Sequence, residues 1–234
     1  MQISWKERRE DMISIISIIF TVLLIVAGYL YLVKYYFSNT EIKLTKDSIL
    51  TFDAKRIIYI AVALLAGLGI NLTFWLTYSG ATFLTQLKII SLIMMLLPIA
   101  AVDLRDHVIP NRLLIGGLVL RLFFYIIEVK TEGLKILEIL KTDIIGALII
   151  SGFFLVCMFV TRNGIGMGDV KLLGLMGLYQ GLWGVMVSVF TSLIVSFVIS
   201  VVLLITRRKG RKDSIAFGPS IFIGTFLGII LNGV

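Results

Sequence analysis

The sequence predicts an all-α integral membrane protein, a polytopic bundle of about 6–8 transmembrane helices. Two features of its composition predict this class: 59% of the 234 residues are hydrophobic and only 15% are charged, and the mean hydropathy is +1.03. A soluble domain has too little interior to hold so much apolar surface. The third observation is that the apolar residues form continuous runs, whereas a membrane β-barrel requires alternating ones.

Eight apolar segments follow one another along the chain, most of them long enough for a bilayer core of about 30 Å. They are 11–33, 57–78, 84–102, 113–128, 144–161, 170–180, 182–206 and 215–233. The fourth and the sixth are short for a full span. The sequence YQGLWG at 179–184 is typical of a tight turn, so 170–206 is either two helices or one long helix with a break.

The first segment is interpreted as a retained helix, because no small-residue cleavage site follows it. We expect residues 1–56 to form this N-terminal transmembrane helix and a short cytoplasmic loop. Residues 57–234 are expected to form the rest of the transmembrane core.

The basic residues are expected to set the topology of the helices and not to bind nucleic acid. The formal net charge is +8, but lysine and arginine are scattered between apolar segments and form no patch. With the N-terminus outside, the cytoplasmic connections hold fourteen of them and the opposite ones six, as the positive-inside rule expects. The run RRKGRK at 207–212 is interpreted as a stop signal on the cytoplasmic side. The lipid bilayer is the expected surrounding, and the oligomeric state is left open.

Two aspartates at the ends of apolar segments are the candidate catalytic residues. Asp103 ends the third segment and Asp169 precedes the sixth, so an even number of crossings places both on the same side. Two carboxyl groups that meet share one proton. The neutral group can then polarise a peptide carbonyl while the ionised one takes a proton from water, as in aspartic proteases. This chemistry needs no metal and no cofactor, and a lone histidine, His107, makes no zinc site.

Five neighbouring residues are expected to support the pair. Gly166 and Gly168 leave room for a substrate backbone beside Asp169. Lys171 either biases that carboxyl towards its charged form or extends to lipid headgroups. Pro110 is expected to end one segment, and Asn111 to cap the next helix.

Other interpretations of the two aspartates remain open from spacing alone. The spacing is also compatible with Asp103 as an interfacial residue paired with Arg105 or Arg162, and with Asp169 as a charge at a helix N-terminus. An ion- or proton-coupled transporter that binds its cation at these carboxyls is the main functional alternative. A membrane scaffold with an idle site is a third.

Three stretches in the second half of the chain resemble the type IV prepilin peptidase family. They are VDLRDHVIPNRLL, GMGDVKLLGLMGLYQG and IAFGPSIFIGT, in the family's order between residues 101 and 225. The resemblance implies a plasma-membrane aspartic endopeptidase without cofactors, with Asp103 and Asp169 at its two catalytic positions. Its substrates would be prepilin-like precursors (pilin, pseudopilin or archaellin) with a basic leader before a hydrophobic segment. Cleavage would occur at the cytoplasmic face.

One departure from the family concerns methyl transfer. Bifunctional members carry paired CxxC motifs after the first helix, whereas the loop 34–56 contains no cysteine. The resemblance therefore implies a member that acts as a peptidase only.

Overall fold

A computed structural model describes residues 5–38, 54–77, 82–161, 165–206 and 216–232, and every regular element within these ranges is helical. The elements are α1 (Trp5–Ser38), α2 (Ala54–Leu76), α3 (Phe83–Asp106), α4 (Asn111–Glu132), α5 (Ile136–Val160), α6 (Met167–Ile205) and α7 (Gly218–Asn232), with a single 3-10 turn at Gly133–Lys135. Most of the loop 34–56, the residue Arg162 and the run 207–212 lie outside the described residues.

The lengths and compositions of these helices confirm the predicted all-α membrane fold. Among the residues that the structure describes, five stretches are long and apolar enough to cross a bilayer. They are Met12–Tyr36, Arg56–Leu76, Phe83–Asp106, Asn111–Val160 and Met167–Ile205. The helix α7 is apolar but shorter. The fourth predicted segment, expected to be short at 113–128, is longer in the structure, because α4 continues through the polar residues up to Glu132.

The chain divides into two compact units, residues 1–98 and 99–234. In the first, polar side chains join α1 to α2. The Ser17 hydroxyl donates to the Asn71 side-chain oxygen over 2.7 Å, and the Asn71 amide donates to Thr21 Oγ1 over 3.0 Å. Hydrogen bonds of this kind help to hold helices together in lipid. The predicted division after residue 56 stays a prediction.

In the second unit, α4 and α5 form a helical hairpin. A straight helix would separate Arg121 from Asp143, which are 22 residues apart, by roughly 33 Å. Their side chains are instead in direct contact, 2.5 Å apart. The chain reverses at the 3-10 turn, where Gly133 adopts a positive φ of 58°.

The helix α6 also turns back, at Gly181. This residue has φ 66° and ψ −175° within YQGLWG, and an L side chain is strained there. Ser192 contacts Ile221 at the start of α7, and Asp103 contacts the same end of α7 and lies within electrostatic range of Asp169. Because a straight helix would place Asp169 and Ser192 roughly 35 Å apart, the alternative of two helices is the one the structure adopts.

Candidate active site

The carboxyl group of Asp103 is buried at the end of α3. Only 5% of the residue is exposed. Its Oδ2 accepts a hydrogen bond of 2.7 Å from the backbone amide of Gly218, the first residue of α7. One carboxylate oxygen is thus fixed by an element 115 residues further along the chain.

In the loop between α3 and α4, the structure differs from the predicted helix cap. Pro110 occupies the cap position of α4, with extended backbone, and no side chain caps the helix. The Pro110 carbonyl accepts the amide of Leu113 over 3.1 Å. Asn111 is already the first helical residue, so its side chain is free to turn towards α6, where its Oδ1 accepts a 3.3 Å hydrogen bond from Lys171 Nζ. The expected Asn111 cap is therefore wrong.

Asp169 lies in the first turn of α6 and is half-buried. Its own amide donates to the Gly166 carbonyl over 3.1 Å, which closes that turn. The charge of Asp103 acts on its carboxyl group, so the two aspartates lie within electrostatic range of each other. The fold of the second unit therefore places these two carboxyl groups within electrostatic range, and their catalytic role stays a prediction.

The two glycines before Asp169 have different surroundings. Gly166 is exposed, and a Cβ there would lie 3.1 Å from Asp169 Oδ2. A Cβ at Gly168 would instead lie 3.0 Å from Ile109 Cβ, in the loop after α3. Only Gly166 therefore fits the predicted role of leaving room beside the carboxyl. Gly168 allows close packing of the loop that follows Asp103 against the start of α6.

The basic residues near the pair bind other partners. Lys171 is exposed and donates to Asn111. Within the described ranges, no ion pair joins it to Asp169. Arg105 lies 3.6 Å from the Asp106 carboxylate, while Arg162 falls outside the described residues. The Gly218 amide is the hydrogen-bond donor to Asp103.

A groove of about 620 Å³ runs between α4, α5 and α6. Asn111, Met167 and Lys171 line it beside the aspartate, and apolar or small residues line the rest. Among the latter are Leu114, Leu118, Ser151, Leu155, Gly174 and Leu178. Residues on either side of Asp169 in the chain thus border a mostly apolar groove.

Sequence reasoning missed a buried charge cluster in the same unit. Arg121 is fully buried, and its guanidinium donates to Glu128 over 2.9 Å, to Asp143 over 2.5 Å and to the Leu178 carbonyl over 2.6 Å. Leu178 lies just before the turn at Gly181. Arginine inside an apolar segment was the available signal, since a charge in such a segment requires partners.

The role of Gly218 was also missed, although the segment that contains it, IAFGPSIFIGT, had been singled out.

Metal ligands give a simpler result. Within the described ranges, no group of three or more His, Cys, Asp or Glu residues could hold a metal ion. The absence of a metal and of a cofactor stays a prediction.

Comparison with known proteins gives a family match that includes both aspartates. The model of the type IV leader peptidase family matches residues 90–204. The prepilin leader peptidase/N-methyltransferase of Bacillus subtilis (strain 168) is 25% identical over 138 residues, which cover 59% of this chain and 53% of that protein. The chain thus spans about half the length of this curated relative. No solved structure matches it.

Proposed function

We propose that this chain, whose residues 90–204 match the type IV leader peptidase family, is a membrane-embedded aspartic endopeptidase that uses Asp103 and Asp169. Its substrates are prepilin-like precursors (pilin, pseudopilin or archaellin), from which it removes a basic leader. It lies in the plasma membrane and cuts at the cytoplasmic face.

The observation that carries this proposal is that two carboxyl groups from different helices lie within electrostatic range of each other. Asp103 comes from the end of α3 and Asp169 from the start of α6, and the charge of one acts on the other. Two carboxyls that approach each other hold one proton between them more easily than two negative charges. Such a pair contains both an acid and a base without any cofactor.

The reaction follows from this shared proton. The ionised carboxylate removes a proton from a water molecule, whose oxygen attacks the carbonyl carbon of the scissile peptide. The protonated carboxyl transfers its proton to the carbonyl oxygen, which gives a tetrahedral diol. The diol then collapses: the carboxyl proton passes to the leaving nitrogen and the C–N bond breaks. One diol hydroxyl gives its proton to the other carboxylate as the product acid forms, so the pair again holds one proton.

The environment of the pair suggests the side from which the substrate enters. Asp103 is almost fully buried, whereas Asp169 is half-buried and is preceded by the exposed residues Gly166 and Met167. The groove, which the chain neighbours Met167, Val170 and Lys171 line, is mostly apolar and suits the hydrophobic segment that follows the leader of a prepilin-like precursor. In this arrangement the leader remains on the aqueous side and the scissile bond lies at Asp169.

Cleavage of a prepilin-like precursor by the purified protein in lipid tests the proposal. Asp103→Asn and Asp169→Asn should each lower kcat by about 10²- to 10⁴-fold, the usual contribution of general acid–base catalysis. Asp106→Asn is a matched control. It removes a carboxylate three residues from Asp103, in the same turn of α3, and should retain most activity.

Two results would contradict the proposal. Full cleavage by Asp103→Asn or Asp169→Asn would remove that residue from the mechanism, and an equal loss in Asp106→Asn would indicate a general effect of charge at this end of α3. The transporter alternative predicts ion movement in proteoliposomes without cleavage of any precursor. A membrane scaffold predicts neither activity.

A further inference from the structure

We infer that Gly218 is a positioning residue for Asp103, and that its backbone amide, at the start of α7, is part of the active site. This inference rests on the proposed function. It gives a role to the Phe-Gly-Pro segment at 217–219. This segment lies outside the residues that match the family, 90–204, and the two-aspartate mechanism does not use it.

The hydrogen bond itself is the first support. The Gly218 amide donates to Asp103 Oδ2 over 2.7 Å, and the acceptor is almost fully buried. A bond from an amide to a carboxylate is shorter and stronger than one between neutral groups. It fixes one carboxylate oxygen and leaves Oδ1 as the oxygen available for a water molecule.

The position of Gly218 at the start of a helix is the second support. Amides in the first turn of a helix have no partner within that helix, and the next residue, Pro219, has no amide hydrogen at all. Proline is also well suited to the first turn because its φ is fixed near the helical value. The sequence Gly-Pro therefore begins α7 and presents the Gly218 amide to the end of α3.

Steric room is the third support, and it explains why this residue is glycine. A Cβ at position 218 would lie 2.9 Å from Asp103 Oδ2 and 3.0 Å from Asp103 Cβ. Neither approach is possible without a shift of the carboxyl group or of α7. Any larger residue would thus move the carboxyl away from its present position relative to Asp169.

The kinetic test compares Gly218→Ala with Ser220→Ala. Ser220 lies in the same turn and is fully buried, and its hydroxyl has no hydrogen-bond partner among the described residues. Its replacement by alanine therefore breaks no hydrogen bond there, and it adds no atom near Asp103. Gly218→Ala should lower kcat roughly 10- to 100-fold, as expected for a small displacement of a catalytic group, with KM within about twofold. Ser220→Ala should change neither constant by more than about twofold.

A second measurement does not depend on catalysis. Hydrogen exchange of the Gly218 amide should accelerate roughly tenfold or more in Asp103→Ala, which removes the acceptor, and should not change in Asp106→Ala. Because Pro219 has no exchangeable amide, the difference in deuterium between two peptides with the same first residue, one ending at Phe217 and one at Pro219, isolates the Gly218 amide.

Each failure has a separate meaning. If Gly218→Ala cleaves like the wild type while Asp103→Asn is inactive, the inference about Gly218 is wrong and the proposed function stands. Unchanged exchange in Asp103→Ala, or an equal loss of kcat in Ser220→Ala, also overturns the inference. If the wild type cleaves no precursor but Asp103→Ala accelerates exchange at Gly218, the contact is supported and the proposed function fails.

Discussion

Replacement of Arg121 by methionine should destabilise the protein severely. Arg121 is fully buried and makes hydrogen bonds to Glu128, Asp143 and the Leu178 carbonyl. Its guanidinium also lies 3.7 Å from the centre of the Tyr125 ring. Methionine has a similar length but no charge and no donor. Two carboxyl groups that are almost fully buried would lose their cation.

The expected loss is large because the remaining charges cannot be solvated. Removal of one partner of a buried ion pair typically costs about 3–5 kcal/mol. For a chain of this size that corresponds to a decrease in Tm of roughly 10 °C. Thermal unfolding in detergent, followed by circular dichroism at the helix bands, measures it directly.

Two further variants show whether charge is the cause. Lys130→Met removes an exposed cation from the same helix and should change the free energy of unfolding by less than about 0.5 kcal/mol. The triple variant Arg121→Met, Glu128→Leu, Asp143→Leu removes the whole cluster and should recover much of the loss, because well-packed apolar residues can replace a buried ion pair. A decrease of less than about 1 kcal/mol in Arg121→Met would refute this account of the cluster.

Three more predictions concern the groove, the metal and the topology. Leu118→Trp projects an indole into the groove and should raise KM for a prepilin-like substrate roughly tenfold, equivalent to about 1.4 kcal/mol of binding. Leu122→Trp, one turn further along the same helix and outside the groove lining, should leave KM unchanged. Equal KM values for the two variants would argue against the groove as the binding site. A metal chelator should leave the cleavage rate unchanged, because an aspartate pair needs no metal, and a loss of rate that zinc restores would contradict this. Met167→Cys, in a Cys157→Ala background, should react with an impermeant thiol reagent added from the cytoplasmic side. Met167 is half exposed (48%), and the distribution of basic residues predicts that it faces the cytoplasm. Reaction only from the opposite side would reverse the predicted topology.

The sequence determined by itself that this is a helical membrane protein, because hydropathy is a property of each local segment. Continuous apolar runs predicted the helices, and YQGLWG predicted the place where α6 turns. The quoted motifs also singled out Asp103 and Asp169 before their neighbours in space were known. The helix ends were less predictable: α4 runs further than its apolar run, because hydropathy does not register polar residues that continue a helix.

The tertiary structure alone decided which residues meet. Gly218 contacts Asp103 across 115 residues of sequence, Arg121 binds Asp143 across a hairpin, and the side chain of Asn111 accepts from Lys171 where a helix cap was expected. None of these contacts has a local pattern, because each depends on how helices pack in three dimensions. Hydropathy specifies that a segment is buried in the bilayer, but it does not specify which neighbour satisfies a buried polar group.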